Sequence, residues 1–129
     1  MTRKTGAKVF VVYDDALIGI TLVDILKRNG YRATAFTSPL KALEAARSAP
    51  PDILVADLLL PDLCGMKLAI LMATRVPWCR VLLFSGAAST EGWYEGAQER
   101  GHDFRLLLKP IHPQVLLAEL TQLVNEPAA

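Results

Sequence analysis

The sequence predicts an open sheet of parallel strands with helices on both of its faces. Five short runs that favour β-structure alternate along the chain with five longer stretches of helical spacing, which is typical of consecutive βαβ units. Most of the β-runs are apolar throughout, as expected for parallel strands that are buried on both faces. The predicted fold class is therefore α/β, with one doubly wound sheet of five strands.

Each predicted strand is a short apolar segment bounded by turn or helix signals. In chain order, the strands are KVFVVY (8–13), RATAF (32–36), DILVAD (52–57), RVLLFS (80–85) and FRLLLK (104–109).

The helices between these strands carry their own start and stop signals. The first, LIGITLVDILKRNG (17–30), repeats apolar residues at helical spacing and closes with Gly30 just after its last turn. The second, SPLKALEAARS (38–48), opens with Ser38 as N-cap and Pro39 at the first helical position. Three further helices are predicted at 65–74, 89–100 and 113–125.

Length and composition narrow the classes of protein that fit. The chain has 129 residues, which fits a single domain at 1–129 with no separate output domain. With 14 Lys and Arg against 13 Asp and Glu, the net charge of +1 gives no sign of nucleic-acid or membrane binding, and we expect neither, although a local patch could still bind specifically. No apolar run approaches the roughly 20 residues that span a bilayer. Cys64 and Cys79 lack CxxC spacing and no secretory leader precedes them, so we expect a cytoplasmic protein.

Chemically active side chains stand at the ends of four predicted strands. In open α/β sheets the functional crevice lies beyond the carboxyl ends of the strands. Strand one ends in Asp14 and Asp15, strand three in Asp57, strand four in Ser85 and strand five in Lys109. Together they offer a hard-cation site, a nucleophilic carboxylate, a hydroxyl and a fixed positive charge, which suits the acceptance of a phosphoryl group.

The motifs around these residues resemble the response-regulator receiver domain of two-component signalling, over essentially the whole chain. VADLLLPDLCG places Asp57 at a strand end, with Pro61 and Gly65 at the spacing of that family's phosphoacceptor loop. LLLKP matches the family's lysine followed by proline, and LFSG matches its strand-four hydroxyl. The resemblance implies a flavodoxin-like sheet in the order 2-1-3-4-5.

The resemblance also implies a chemistry and a set of partners. Asp57 would receive a phosphoryl group from a histidine kinase or a histidine phosphotransfer protein. Mg²⁺ would be held by Asp57, the strand-one acids and the main-chain carbonyl of Leu59, while Lys109 and Ser85 would bind the phosphoryl oxygens. Helix one and the loops around Asp57 would dock the kinase. Helix four, strand five and helix five would form the face for a downstream protein target or for a homodimer.

The chain departs from the family pattern at two places. Ungapped counting places Tyr13 at the first of two positions that are usually acidic and Asp14 at the second, so Asp14 is the expected main metal ligand. Asp15, one residue beyond, fits either a helix cap or a supporting metal role. Leu106 stands where receivers usually carry a switch aromatic, and a bulge could instead assign that role to Phe104.

Two other functions compete with the signalling switch. A phosphatase of the haloacid dehalogenase type needs an acid two residues after the nucleophile, and that residue is Leu59, so we expect no enzyme. A receiver-like module that binds proteins independently of phosphorylation remains the alternative, because of Tyr13 and Leu106. We further predict a cis peptide bond between Lys109 and Pro110, which would turn the lysine inward.

Overall fold

The computed structural model describes residues 6–60, 62–86 and 104–125, and in these residues five parallel strands form one sheet in the order β2-β1-β3-β4-β5. The strands are β1 (Lys8–Val12), β2 (Arg32–Phe36), β3 (Ile53–Asp57), β4 (Arg80–Ser85) and β5 (Arg105–Leu108). This arrangement confirms the predicted fold class and the strand order that the resemblance implied.

The register of the sheet brings the ends of the strands to one edge. Ser85, the last residue of β4, pairs with Leu108, the last residue of β5, and Asp57 at the end of β3 pairs with Phe84. Beyond the strand, the Lys109 amide still donates a hydrogen bond to the Ser85 carbonyl at 2.9 Å. The residues that follow β1, β3, β4 and β5 therefore share the carboxyl edge, where parallel sheets place their functional sites.

The helices lie close to their predicted positions. They are α1 (Ala16–Arg28), α2 (Pro39–Ser48), α3 (Gly65–Arg75) and a last helix (Pro113–Asn125). The predicted helix at 89–100 lies outside the described residues. Within the described part of the chain, no helix has both the length and the apolar character needed to span a membrane.

Side chains of alternate strand residues pack into two separate cores, one on each face of the sheet. Phe10 and Leu83 belong to the core under α2 and α3. Val11 and Phe84, their neighbours along the strands, belong to the core under α1 and the last helix. Both faces are therefore covered, which explains why the strands are apolar throughout instead of alternating.

The two cysteines differ in exposure. Cys79 is buried, and burial is the main cause that raises the pKa of its thiol to about 12; the nearby Asp52 charge raises it further, and a backbone hydrogen bond from Leu54 offsets part of the effect. Cys64 precedes α3 and is only partly buried. The thiolate is the nucleophile, and a pKa of about 12 leaves almost none of it at pH 8.

We therefore expect iodoacetamide at pH 8 to alkylate Cys64 in the folded protein and to leave Cys79 unmodified. Intact mass followed by peptide mapping measures the sites. The variant Cys64→Ser should lose the single adduct, and unfolding in denaturant should restore reactivity at Cys79. Alkylation of Cys79 in the folded protein at a rate similar to that of Cys64 would contradict the burial described above.

Candidate functional site

Asp57 is a buried carboxylate at the centre of the carboxyl edge. Its residue is 3% exposed. The Oδ2 atom accepts a hydrogen bond from Lys109 Nζ at 3.0 Å, while the buried Oδ1 atom has no hydrogen-bond partner within the described residues. A buried charge without full compensation is costly, and such carboxylates are usually paired or bound to metal. Oδ1 is therefore the oxygen left for a cation or an incoming phosphoryl group.

Lys109 supplies the positive charge of the site. The peptide bond to Pro110 is cis, which confirms the prediction. Burial lowers the pKa of the ammonium group, but the hydrogen bond to Asp57 and the adjacent Tyr13 side chain outweigh it, so the pKa lies above the usual value. Lys109 thus remains charged at neutral pH, with about one third of its side chain exposed.

Tyr13 directly follows β1 and points into the site. The residue is 8% exposed, and its ring centroid lies 5.3 Å from Lys109 Nζ and 6.2 Å from the ring of Phe84. From the sequence, Tyr13 could be recognised only as a residue that replaces an acid. Its contact with Lys109 could not be predicted. The one available clue was that both residues follow strands that end at the same edge.

The two acids after Tyr13 differ in their roles. Asp15 caps α1, because its Oδ1 atom accepts hydrogen bonds from the Leu17 and Ile18 amides at 3.0 and 3.3 Å. This confirms the interpretation of Asp15 as a helix cap. Asp14 is exposed at the end of β1. Among the residues that the structure describes, no group of three or more His, Cys, Asp or Glu side chains is arranged to hold a metal ion.

The donor set nevertheless fits Mg²⁺. This ion keeps several waters in its coordination sphere and is usually held through one or two carboxylates. Asp57 offers the unpartnered oxygen Oδ1, Asp14 offers an exposed carboxylate, and Leu59 lies two residues beyond Asp57 in an exposed part of the loop. Two carboxylates and one carbonyl meet that requirement without a third acid.

The loop after β3 is closed by contacts between its first residues and the start of α3. The Gly65 amide donates a hydrogen bond to the Leu58 carbonyl at 2.8 Å. A Cβ atom at position 65 would overlap the backbone of Asp57 and Leu58, so this position requires glycine for close approach. Pro61 of the predicted loop motif lies outside the described residues. The hydrogen bond to Leu58 and the close approach to the Asp57 backbone explain why the motif needs a glycine at position 65.

Ser85 lies at the end of β4, as predicted, and is 1% exposed. Its hydroxyl donates a hydrogen bond to the Gly86 carbonyl at 2.7 Å. The hydroxyl is therefore on the correct edge of the sheet but is directed to the backbone of the next residue. Binding a phosphoryl oxygen would require the hydroxyl to exchange this acceptor for the phosphoryl group.

Strand β5 carries Leu106 in the place of the switch aromatic. Leu106 packs against the core under α2 and α3, and Phe104 is buried in the same core. The pairing of β5 with β4 is continuous from Arg105 to Leu108, so no bulge reassigns Phe104 within this strand. Leu106 is thus a partly buried residue that packs against this core.

The comparison with protein families agrees with this fold. A family model described as the response regulator receiver domain matches residues 9–121. The chain belongs to the response regulator receiver domain family, which confirms the resemblance inferred from the motifs. Proteins of this class are signalling components of two-component systems.

Individual relatives are similar at moderate identity. Transcriptional regulatory protein CreB of Escherichia coli is 28% identical over 97% of this chain. Response regulator receiver protein CpdR of Brucella abortus is 24% identical over 91% of this chain and 96% of its own length. The crystal structure of a CheY-like receiver domain protein from Methanospirillum hungatei has 22% identity and a TM-score of 0.84, with 94% of this chain and 95% of that chain covered.

The chain spans about half the length of two of these full-length regulators. It covers 52% of CreB and 53% of the probable transcriptional regulatory protein TcrX of Mycobacterium tuberculosis, which is 27% identical to it over 97% of this chain. The similarity to both therefore concerns a receiver domain and not the whole of either regulator.

Proposed function

We propose that this receiver domain is a phosphoacceptor switch that takes a phosphoryl group onto Asp57 from a histidine kinase or a histidine phosphotransfer protein. The observation that carries the proposal is the state of the Asp57 carboxylate. It is buried, one oxygen is paired with Lys109 at 3.0 Å, and the other has no hydrogen-bond partner within the described residues. A nucleophilic carboxylate beside a fixed cation is the equipment for phosphoryl transfer.

The transfer follows from these groups. A carboxylate oxygen of Asp57 forms a bond to phosphorus as the phosphorus–nitrogen bond of the phosphohistidine breaks, and the donor imidazole leaves with its electron pair. Lys109, next to the reacting carboxylate, stabilises the negative charge on the phosphoryl oxygens. Ser85 would donate its hydroxyl to another of these oxygens after releasing the Gly86 carbonyl. The product is an aspartyl phosphate.

The reaction would use Mg²⁺, held by Asp57, Asp14 and the main-chain carbonyl of Leu59. Bound there, the ion supplies positive charge that neutralises the phosphoryl oxygens. Asp15 supports the site indirectly, since its cap fixes the start of α1 beside Asp14. Further participation of Asp15 would have to come from its second carboxylate oxygen.

The output of the switch would be a protein contact. Residues 1–129 form one receiver domain in this proposal, acting in the cytoplasm on a downstream protein target rather than as an enzyme. A homodimer would use β5 and the last helix, together with the predicted helix at 89–100. On this face Arg105 of β5 is held by Glu119 and Gln122 of the last helix, each at 2.9 Å.

The alternative is a module that binds its partner without phosphorylation. Tyr13 favours it, because the aromatic ring replaces an acid and already occupies the side of Lys109. Leu106 favours it as well, because it packs against the core under α2 and α3 and, by the family resemblance, stands where a switch aromatic would couple the site to the output face.

The two functions are separated by treating the protein with acetyl phosphate and measuring its intact mass. We expect one phosphoryl adduct in the presence of Mg²⁺ and none when the metal is chelated with EDTA, because the ion is needed to neutralise the phosphoryl charge. A protein that remains unlabelled at millimolar Mg²⁺ and acetyl phosphate would contradict the switch and support the constitutive module.

A further inference from the structure

The ammonium group of Lys109 has two partners in the site. Its Nζ atom lies 3.0 Å from Asp57 Oδ2 and 5.3 Å from the centroid of the Tyr13 ring. Tyr13 is 8% exposed, and the ring of Phe84 lies 6.2 Å from its own. The aromatic partner is therefore a fixed, buried group.

We infer that Tyr13 is a positioning residue for Lys109, whose ring attracts the ammonium group and keeps it beside the Asp57 carboxylate. The inference rests on the proposed function, in which that ammonium group meets the phosphoryl oxygens. A cation over an aromatic face is attracted by the ring quadrupole, and the attraction increases where water is partly excluded. An acid at position 13 would serve the metal ion; the tyrosine serves the lysine.

The other contacts of Lys109 fix its backbone but do not fix its ammonium group. Its backbone is fixed, since the Lys109 amide donates to the Ser85 carbonyl at 2.9 Å. Its side chain is about one third exposed and has a flexible four-carbon stem, which can turn into water. The Tyr13 ring lies where it limits that movement, on the wall of a groove of about 420 Å³ that Lys109 also lines.

Substitutions at position 13 test the inference through the ring itself. Tyr13→Phe keeps the ring and removes the hydroxyl, whereas Tyr13→Leu removes the ring but keeps an apolar side chain. With acetyl phosphate at saturating Mg²⁺, we expect Tyr13→Leu to slow labelling of Asp57 by about three- to tenfold and Tyr13→Phe by less than about twofold. Phenylalanines with one, two and three ring fluorines at position 13 should slow it stepwise at nearly constant volume.

A matched control separates positioning from general packing. Tyr31 is an equally buried tyrosine, 4% exposed, in the same core as Tyr13. Tyr31→Leu should lower thermal stability about as much as Tyr13→Leu does, yet leave the labelling rate at the wild-type value. If both leucine variants slow labelling equally, Tyr13 acts only through the core and the inference is overturned.

A second readout needs no phosphorylation. Because an aromatic ring shifts the proton resonances of groups above its face, the side-chain methylene protons of Lys109 should move downfield in Tyr13→Leu and stay in place in Tyr13→Phe. If the wild type takes no phosphoryl group, the proposed function fails, and these spectra decide the inference alone. Unchanged Lys109 resonances in Tyr13→Leu, or labelling rates that ignore the ring fluorines, would overturn it.

Discussion

Replacing Asp57 with Asn is expected to abolish labelling by acetyl phosphate. The amide has nearly the shape of the carboxylate but cannot act as the nucleophile. The substitution also removes the negative charge that pairs with Lys109 at 3.0 Å. Since about one third of the Lys109 side chain is exposed, water can solvate the ammonium group and the fold should persist. Intact mass with Mg²⁺ present, and thermal unfolding of both proteins, measure the two effects.

The control is Asp62→Asn, which removes an exposed carboxylate from the same loop. This variant should be labelled like the wild type, and its adduct should be removed by hydroxylamine as expected for an acyl phosphate. An adduct that persists in Asp57→Asn would show that another side chain accepts the phosphoryl group. The assignment of Asp57 would then be wrong, whatever the fold.

The strands and helices could be predicted because their signals are local. Uniformly apolar runs identified strands buried on both faces, and the two cores of the structure are the physical reason. Ser38 and Pro39 defined the start of α2, where the Ser38 hydroxyl accepts from the Lys41 amide. The start of α1 was less clear, because Asp15 could cap the helix or serve the metal, and the sequence does not show the hydrogen bonds by which Asp15 caps the helix.

The candidate site was predictable as a set of positions but not as a set of contacts. Parallel strands force Asp57, Ser85 and Lys109 to the same edge, so their positions along the strands were sufficient. The direction of the Ser85 hydroxyl towards Gly86 depends on side-chain rotation that no sequence spacing encodes. The same is true of the Tyr13 ring beside Lys109, which depends on packing between side chains far apart in the sequence.

The second large effect concerns the metal. We expect Asp14→Ala to weaken Mg²⁺ binding by about 100-fold or more, because changes even to the groups behind metal ligands cost roughly ten- to 100-fold. In the proposed site, where Tyr13 stands in place of an acid, Asp14 and Asp57 would be the carboxylates that hold the ion, and the loss of one would leave a single charge to hold it. Labelling of Asp14→Ala by acetyl phosphate should decrease as its Mg²⁺ binding weakens.

Isothermal calorimetry is the measurement of choice. A fluorescence signal would depend on the distance of Trp78 and Trp93 from the ion, whereas the heat of binding does not. Thermal unfolding of each variant is the control for stability. The Mg²⁺ affinities of the variants are compared at a temperature at which all of them are folded.

Two neighbouring substitutions test the register of the strand-one acids. Tyr13→Asp should tighten Mg²⁺ binding by about tenfold, because the added carboxylate can orient waters around the ion. Asp15→Ala should change Mg²⁺ affinity less and instead destabilise α1 by about 1 kcal/mol through loss of its cap. If Tyr13→Asp leaves the affinity unchanged while Asp15→Ala removes binding, the acidic pair of this receiver is Asp14 with Asp15, and Tyr13 replaces no ligand at all.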